Sequence, residues 1–362
     1  MTVLHISRTM GQGGAEKIVY QLCKDNHNLE QMIASIGGIY VTELDNMGVK
    51  HFLIPDIEKK NPMTILKTIY ILQSIIHKNG VDIIHTHHRM AAFYARILQF
   101  FNKNIKHVYT AHNIFYGKRK FLKFALKNAI VIAVGNSVKK NLIDEYGIPD
   151  SKITVIYNAI DVSHMSSYKN ELIEQLINNG NYIIGTLGRL SAQKGIDTFI
   201  QAMKTVSEKE PRLKAVVIGD GELKSDMQHL VVKLGLQNVV YFLGFQSHVL
   251  EIIQQLQFVV LASRWEGLPL IPIETFSQGK TIIVTDIPGN NEIVKDKVNG
   301  LIVSKGNSKE LAQKILLLMR NHKLKENLEN VAFKTYVECY SYPEFINKYK
   351  QIYKTIEQNT IY

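Results

Sequence analysis

The sequence is poor in cysteine and in long apolar runs, and each shortage excludes a class of protein. Its 362 residues include only two cysteines, Cys23 and Cys339, so no disulfide framework is available and a reducing, intracellular setting is expected. No apolar run approaches the ~18–20 residues that span a bilayer, so any membrane contact is expected to be peripheral. The opening MTVLHISRTM lacks the charged region and apolar core of a signal peptide. We therefore expect a cytoplasmic protein.

Negative charge is scarce in the first half of the chain. Residues 1–160 carry 20 Lys and Arg against 11 Asp and Glu, whereas residues 161–362 carry 23 against 21. Most of the net charge of +11 therefore belongs to the first half, which indicates an anionic partner there. No nucleic-acid-binding motif or interleaved aromatic platform accompanies this charge, so we expect that partner not to be a nucleic acid.

Short β-rich runs alternate with amphipathic helical stretches along the chain, which predicts an α/β fold with parallel sheets flanked by helices. The length and the hydrophobic content of 46% suffice for two Rossmann-like domains. Thirteen runs are predicted as strands: TVLHIS, QMIASIG, KHFLIP, VDIIHTHH, KHVYTAHN, AIVIAVGN, ITVIYNA, YIIGTLGR, KAVVIGDG, VVYFLGF, FVVLASR, TIIVTDI and GLIVSKG.

A polar segment without clear periodicity, IDVSHMSSYKN (160–170), separates the two sets of strands. We place the domains at 1–165 and 166–341. Helix-like sequence runs from Ser308 to about Asn359, and we expect its last part, 342–362, to be a helix that packs back on the first domain.

Candidate ligand-binding residues follow two of the predicted strands. In open α/β sheets, ligands bind beyond the carboxyl ends of the strands. Gly13 and Gly14 follow the first strand and open a helix near Ala15, where free N–H groups suit an anion; a tight turn alone would also require glycine. Arg189 and Lys194 flank the loop after YIIGTLG, where two cations suit a diphosphate; they are otherwise ordinary solvated charges.

Several motifs resemble the retaining glycosyltransferases of family 4, of the bacterial capsule and exopolysaccharide type. In the second half these are GRLSAQKGIDTFIQA, IGDGEL, VVYFLGF, ASRWEGLPLIPIETFSQGK and IVKDKVNGLIV. In the first half they are GQGGAEKIV, DIIHTHH, TAHN, VGNSVKKNL and VIYNAID. The resemblance covers nearly the whole chain and implies the GT-B architecture, in which two Rossmann-like domains face a central cleft.

The resemblance also implies roles for particular residues. Glu266 would hold the donor sugar, Glu274 would accept hydrogen bonds from the ribose hydroxyls, and His112 would approach the sugar from the first domain. Arg189 and Lys194 would neutralise the departing diphosphate without a metal or other cofactor. As catalytic residues we predict His112, Glu266, Arg189 and Lys194. As donor-binding residues we predict Gly13, Gly14, Arg189, Lys194, Phe245, Glu266, Gly267, Leu268, Pro269 and Glu274.

Three histidines, His85, His87 and His88, lie close together in VDIIHTHH and raise the question of a metal site. No cysteine or carboxylate with metal-site spacing accompanies them. The resemblance implies that Arg and Lys side chains, and not a metal ion, neutralise the charge of the diphosphate. We therefore predict no metal site.

The segment GKRKFLKFALKNA (117–129) mixes cations with apolar side chains. A helix here would suit the surface of an anionic membrane, although its apolar stripe could equally pack on its own sheet. The basic residues predicted to meet the membrane are Lys118, Arg119, Lys120, Lys123 and Lys127.

Together these features predict a retaining, metal-independent glycosyltransferase, cytoplasmic or peripheral on the inner membrane face. It would move a sugar from a nucleotide-sugar donor, a UDP-sugar by preference, to a glycan or polyprenyl-linked acceptor in the synthesis of surface polysaccharide. A sugar-nucleotide epimerase of the same architecture is the alternative within enzymes. A catalytically silent partner subunit that binds nucleotide or glycan is the alternative outside them.

Overall fold

The chain divides into two compact units in the computed structural model, which describes residues 1–25, 29–163 and 165–358. One unit comprises residues 1–158 together with the segment that begins at Tyr342, and the other is Ala159–Ser341. His164 of the junction segment and residues 359–362 of the expected C-terminal helix lie outside the described residues. Unit 1 and unit 2 are therefore built from a chain that crosses between them twice.

Unit 1 contains a seven-stranded parallel sheet in the order β3-β2-β1-β4-β5-β6-β7. Its strands are β1 (Thr2–Ile6), β2 (Glu30–Ser35), β3 (Lys50–Leu53), β4 (Ile83–Thr86), β5 (Lys106–Ala111), β6 (Ala129–Ala133) and β7 (Ile153–Val155). The strand order reverses between β1 and β4, and a parallel sheet offers its ligand site at such a point, beyond the carboxyl ends of the strands.

Seven helices flank this sheet within the described residues. They are α1 (Gly14–Lys24), α2 (Tyr40–Asn46), α3 (Pro62–Asn79), α4 (Arg89–Phe101), α5 (Arg119–Ala125), α6 (Asn136–Asp144) and, after unit 2, the C-terminal α15 (Tyr342–Gln358).

Helix α3 shows how the local sequence determines where a helix begins and ends. Asn61 caps its first turn by accepting a hydrogen bond from the Thr64 amide, Pro62 opens it, and Gly80 in the left-handed conformation ends it.

The two faces of the first sheet differ in chemistry because neighbouring side chains on a strand point to opposite sides. Leu4 and Ile6 of β1 belong to an apolar core shared with α3 and α4. His5, between them, lies on the other face with its ring centroid 5.0 Å from that of His85 of β4, and His85 bonds to Tyr353 of α15. Around His5 and His85 the α15 face of the sheet is therefore polar, whereas Leu4 and Ile6 line an apolar core on the α3 and α4 face.

Unit 2 contains a six-stranded parallel sheet in the order β10-β9-β8-β11-β12-β13. Its strands are β8 (Tyr182–Leu187), β9 (Leu213–Ile218), β10 (Val240–Gly244), β11 (Val259–Leu261), β12 (Ile282–Thr285) and β13 (Leu301–Val303). Its helices are α7 (Glu171–Asn178), α8 (Ile196–Ser207), α9 (Lys224–Lys233), α10 (Val249–Gln255), α11 (Leu270–Ser277), α12 (Pro288–Ile293), α13 (Ser308–Arg320) and α14 (His322–Cys339).

The predicted α/β fold class, two Rossmann-like units with parallel sheets, is confirmed, and each of the thirteen predicted runs overlaps a strand. The helix-like stretch from Ser308 proves to be three helices. Asn321 ends α13 and caps α14 by accepting a hydrogen bond from the Leu324 amide, and Tyr340 ends α14. Among the described residues, no helix is both long and apolar enough to cross a bilayer.

Candidate functional site

Glu266 lies in the loop that follows β11 and is the centre of a hydrogen-bonded cluster in unit 2. Its side chain is 7% exposed. The Lys194 ammonium donates to Oε1 over 2.6 Å, and the Ser263 hydroxyl donates to the same oxygen over 2.7 Å. The Gln193 amide donates to Oε2 over 3.0 Å. A carboxylate this deeply buried requires partners, and these three supply them.

The contact between Lys194 and Glu266 depends on a close approach of two loops. Gly195 has a φ of +61°, and a Cβ there would lie 2.1 Å from the carbonyl oxygen of Ala262. Only glycine fits such a position. Arg264 joins the same loops, since its guanidinium donates to Asp197 over 2.6 Å and to the Ala192 carbonyl over 2.7 Å. The loop before α8 is thereby fixed against the end of β11.

Glu274 lies within α11, and its side chain is 6% exposed. Pro269 is the N-cap of this helix and Pro272 falls in its first turn, where proline removes no helical hydrogen bond. The preceding backbone is also constrained, because a Cβ on Gly289 would lie 2.4 Å from the carbonyl oxygen of Gly267. The structure thus holds the 266–269 loop between β11, α11 and α12.

Two predicted donor-binding residues of unit 2, Arg189 and Phe245, are exposed and do not belong to the cluster around Glu266. The Arg189 side chain is 77% exposed, and its nearest acidic partner is Glu222 at 3.7 Å. Phe245 follows β10 and is 42% exposed. The pair expected from the spacing of Arg189 and Lys194 is thus asymmetric, because Lys194 is already neutralised by Glu266 and Arg189 is open to solvent.

Gly13 and Gly14 open α1 in unit 1, as the sequence predicts. Gly13 is the N-cap and provides no side-chain hydrogen bond. A Cβ on Gly13 would lie 2.1 Å from Oε2 of Glu16, so a carboxylate already lies beside this helix N-terminus. Gly38 approaches the same loop with a φ of +151° and would place a Cβ 2.2 Å from the carbonyl carbon of Met10. The loop is therefore packed backbone against backbone.

His112 follows β5 and is half-buried. Burial lowers its pKa to about 3, so the imidazole is neutral at pH 7. Its Nε2 lies 3.0 Å from Nδ1 of His87. The sequence predicts this strand-end position but not the contact with a second histidine.

The histidine cluster is real, but its membership differs from the expected one. His88 caps α4 by accepting a hydrogen bond from the Met90 amide, and it lies 3.2 Å from Glu58. The third member is His5, whose ring nitrogens lie within 4.8 Å of those of His85 and His87. Sequence reasoning missed His5 because it depends on the pairing of β1 with β4, in which His5 is opposite His85.

Hydrogen bonds occupy the ring nitrogens of this cluster. His5 bonds to Gln31 over 2.7 Å and to His87 over 3.0 Å. His85 bonds to Tyr353 over 2.6 Å and to Thr110 over 2.8 Å. Burial lowers the pKa of all three histidines, that of His5 to about 4. A metal could be held here only by displacing these bonds, so the arrangement fits a neutral hydrogen-bond network better than a metal centre.

The basic segment predicted to meet the membrane forms the short helix α5 and its flanks. All five of its basic side chains are exposed. The apolar side of α5 packs within unit 1, because Leu122 is 1% exposed and Phe121 stacks on Phe93 of α4 at 5.3 Å. Phe124 remains 39% exposed. The helix therefore buries its apolar stripe on its own unit and presents cations and one aromatic ring to solvent.

Comparison with known proteins covers both units. A family model described as "Glycosyltransferase Family 4" matches residues 12–164, and one described as "Glycosyl transferases group 1" matches residues 167–335. An uncharacterised glycosyltransferase of Methanocaldococcus jannaschii is 28% identical over 95% of each chain. The UDP-Gal:alpha-D-GlcNAc-diphosphoundecaprenol alpha-1,3-galactosyltransferase of Escherichia coli is 28% identical over 75% of each.

A solved structure gives the same fold. The Anabaena protein HepE, crystallised in complex with UDP-glucose, superposes with a TM-score of 0.86 at 21% identity and covers 98% of this chain and 100% of its own. The agreement extends over both units.

Proposed function

The chain belongs to the family 4 glycosyltransferases of GT-B architecture, and from this premise we propose that it is a retaining enzyme that transfers a sugar from a UDP-linked donor to a glycan or polyprenyl-linked acceptor. The cluster around Glu266 is the observation that carries the proposal. It places a carboxylate and an ammonium 2.6 Å apart at the carboxyl end of a parallel strand, where α/β sheets bind ligands.

In this proposal the two glutamates bind different parts of the donor. Glu266 and the amides of Gly267–Pro269 hold the sugar, and Glu274 accepts hydrogen bonds from the ribose. Burial of both carboxylates supports these roles, because a buried carboxylate on a fixed loop or helix is pre-organised to accept hydrogen bonds. Phe245 would contact the nucleotide from the loop after β10.

Catalysis in this proposal is electrostatic. As the sugar leaves, negative charge builds on the departing diphosphate. Arg189, Lys194 and the N-terminus of α1 at Gly13 and Gly14 would stabilise it without a metal ion. The departing phosphate would help to deprotonate the acceptor on the same face, so we assign no general base. His112 would position the donor sugar, the role that its family counterpart has.

The acceptor is proposed from charge and from one relative. The Escherichia coli relative is named for a diphosphoundecaprenol-linked acceptor, a lipid that requires an enzyme at the membrane surface. Unit 1 carries most of the net positive charge of the chain, and the exposed cations of α5 would attract anionic headgroups. We propose that unit 1 docks peripherally on the inner membrane face during synthesis of surface polysaccharide.

A screen of nucleotide sugars tests the proposal without an acceptor. One UDP-sugar should raise the melting temperature and be hydrolysed slowly by the wild type, with Glu266→Gln impaired in both. The released sugar should retain its anomeric configuration when followed by NMR during the first turnovers. Conversion of the donor to its epimer would favour the epimerase alternative. Stabilisation without hydrolysis or transfer to any lipid-linked acceptor would favour a silent binding subunit.

A further inference from the structure

Four polar side chains form a continuous row across the first sheet of unit 1. The row begins at Gln31 of β2, passes through His5 of β1 and His87 after β4, and ends at His112 after β5. The successive distances are 2.7, 3.0 and 3.0 Å. These strands are neighbours in the sheet, so each contributes one member of the row.

Gln31 sets the direction of every hydrogen bond in this row. Its Oε1 faces His5 and can only accept, so Nε2 of His5 carries the hydrogen. Nδ1 of His5 is then an acceptor and takes a hydrogen bond from Nε2 of His87. By the same reasoning, Nδ1 of His87 accepts from Nε2 of His112. His112 is left with an unprotonated Nδ1 at the end of the row.

The row fixes which ring nitrogen of each histidine carries the hydrogen, and its histidines are neutral. Burial lowers the pKa of His5 to about 4 and of His112 to about 3, and burial together with the neighbouring histidines holds the pKa of His87 well below its ordinary value. The other titratable side chain packed against the row is His85, whose ring centroid lies 4.2 Å from that of His87 and 5.0 Å from that of His5. No carboxylate bonds to a member of the row in the part of the chain that the structure describes.

We propose that Gln31, His5 and His87 are positioning residues that hold His112 in its Nε2–H tautomer, so that Nδ1 meets the donor sugar as a hydrogen-bond acceptor. This inference rests on the proposed function of His112. An acceptor at this point selects a sugar group that donates, such as a hydroxyl. A group that only accepts, such as the carboxylate of a uronic acid, would face a lone pair and be rejected.

The opposite arrangement is chemically available and makes the proposal testable. If Gln31 turned its amide round, the NH₂ group would donate to His5 and each hydrogen bond in the row would reverse. His112 would then present an Nδ1–H donor. In the present arrangement the Nε2 amide group of Gln31 is buried without a hydrogen-bond partner. In the reversed arrangement Oε1 of Gln31 would be the buried atom without a partner.

Nitrogen NMR of the full-length, ¹⁵N-histidine-labelled protein distinguishes the two arrangements before any substrate is added. The His112 signals are assigned with His112→Gln, and the wild type should show the Nε2–H tautomer. Gln31→Met removes the acceptor at nearly constant volume and should convert His112 to a mixture of tautomers. Gln99→Met on α4, the same chemical change outside the row, is the control and should leave the spectrum of His112 unchanged.

Three results would overturn the proposal. An Nδ1–H tautomer in the wild type would show the reversed row, and an unchanged tautomer in Gln31→Met would show that Gln31 does not set it. We also expect Gln31→Met to lower donor turnover about tenfold, the effect of one lost hydrogen bond. A changed tautomer with unchanged turnover would disprove the contact of His112 with the donor while leaving the donor site of unit 2 untouched.

Discussion

The ammonium of Lys194 lies 2.6 Å from Oε1 of Glu266, so the cation proposed for the diphosphate and the carboxylate proposed for the sugar are one structural pair. Lys194 is 16% exposed and Glu266 is 7% exposed. Loss of either partner leaves the other as a nearly buried charge, which is strongly unfavourable. The ion pair therefore couples the two ends of the proposed donor site.

Turnover should depend on both proposed diphosphate cations, but for different reasons. We expect Arg189→Ala or Lys194→Ala to remove at least ~2 kcal/mol of transition-state stabilisation, a factor of about 30 in turnover. Arg189→Ala should leave the melting temperature unchanged because its side chain is exposed. Lys194→Ala should also lower it, since Glu266 loses its partner.

The control for Arg189→Ala is Arg320→Ala, which removes another exposed guanidinium of unit 2. Its turnover should equal that of the wild type. If both Arg189→Ala and Lys194→Ala keep turnover within twofold of the wild type, the diphosphate assignment is wrong.

The close loop contact at Gly195 should make this position intolerant of any side chain. Gly195→Ala places a Cβ against the Ala262 carbonyl and a left-handed φ on alanine. Gly279→Ala is a matched control, because Gly279 has a φ of +63° and nothing within 4 Å of the added Cβ. Both variants should be destabilised by about 1 kcal/mol for the backbone conformation.

Gly195→Ala should lose about 2 kcal/mol more through overpacking. Urea unfolding followed by the fluorescence of Trp265, the single tryptophan of the chain, measures the difference in unit 2. Equal stabilities of the two variants would show that the loop before α8 relaxes freely. The Lys194–Glu266 geometry would then not depend on Gly195.

Activity should not require a divalent metal ion. Arg189, Lys194 and a helix N-terminus take the place of Mg²⁺ in the proposed mechanism, so donor hydrolysis should persist in excess EDTA. The measurement is turnover after dialysis against EDTA, with and without added Mg²⁺, Mn²⁺ or Zn²⁺. Activity that EDTA abolishes and one of these ions restores would contradict the proposal. It would indicate a metal site, for which His5, His85 and His87 are the candidate ligands.

Acid should destabilise unit 1 through its buried histidines. Burial lowers the pKa of His5 to about 4 and of His107 and His112 to about 3, from an ordinary value of 6.5. Below pH 6.5 the unfolded chain binds protons that the folded protein excludes, so the free energy of unfolding should fall from about pH 6.5 towards pH 4. Each such histidine contributes at most about 1.4 kcal/mol per pH unit.

Single substitutions isolate one histidine in this titration. His107→Gln keeps a hydrogen-bonding group for Thr86, which His107 contacts over 2.7 Å, and should make the slope shallower. His77→Gln, at an exposed position on α3, is the comparison variant with the same chemical change outside the buried set. Urea titrations at several pH values, followed by circular dichroism, provide the slopes, and a stability independent of pH between 6.5 and 4.5 would refute the expectation.

Unit 1 should bind anionic vesicles in a salt-sensitive way. Each basic residue near an anionic surface contributes about 1 kcal/mol, and salt screens this attraction. Sedimentation with anionic and neutral vesicles tests a variant in which five residues of the α5 region are changed to Gln. Those residues are Lys118, Arg119, Lys120, Lys123 and Lys127.

A charge-matched control removes five exposed lysines of unit 2 instead. They are Lys209, Lys233, Lys305, Lys309 and Lys323. Wild type and control should bind anionic vesicles at low salt, and the α5 variant should not. Equal binding by both variants would mean that net charge alone acts and that α5 is no docking surface.

The strands could be predicted from sequence because each is a short apolar run, and the position of Glu266 followed from its place after one of them. The contact of Lys194 with Glu266 could not, since it depends on the approach permitted at Gly195. His5 was missed for a related reason. It reads as one polar residue in TVLHIS, and only the pairing of β1 with β4 brings it to the other histidines.

Tyr353 of α15 bonds to His85 of β4, 268 residues earlier in the chain, which has a consequence for synthesis on the ribosome. After Asn158 emerges, the ribosome must still add the whole of Ala159–Ser341 before α15 exists. At typical elongation rates this takes roughly 10–40 s. During that interval the nascent first sheet holds His85 and Thr110 without the tyrosines that later cover them, so the unit made first is completed last.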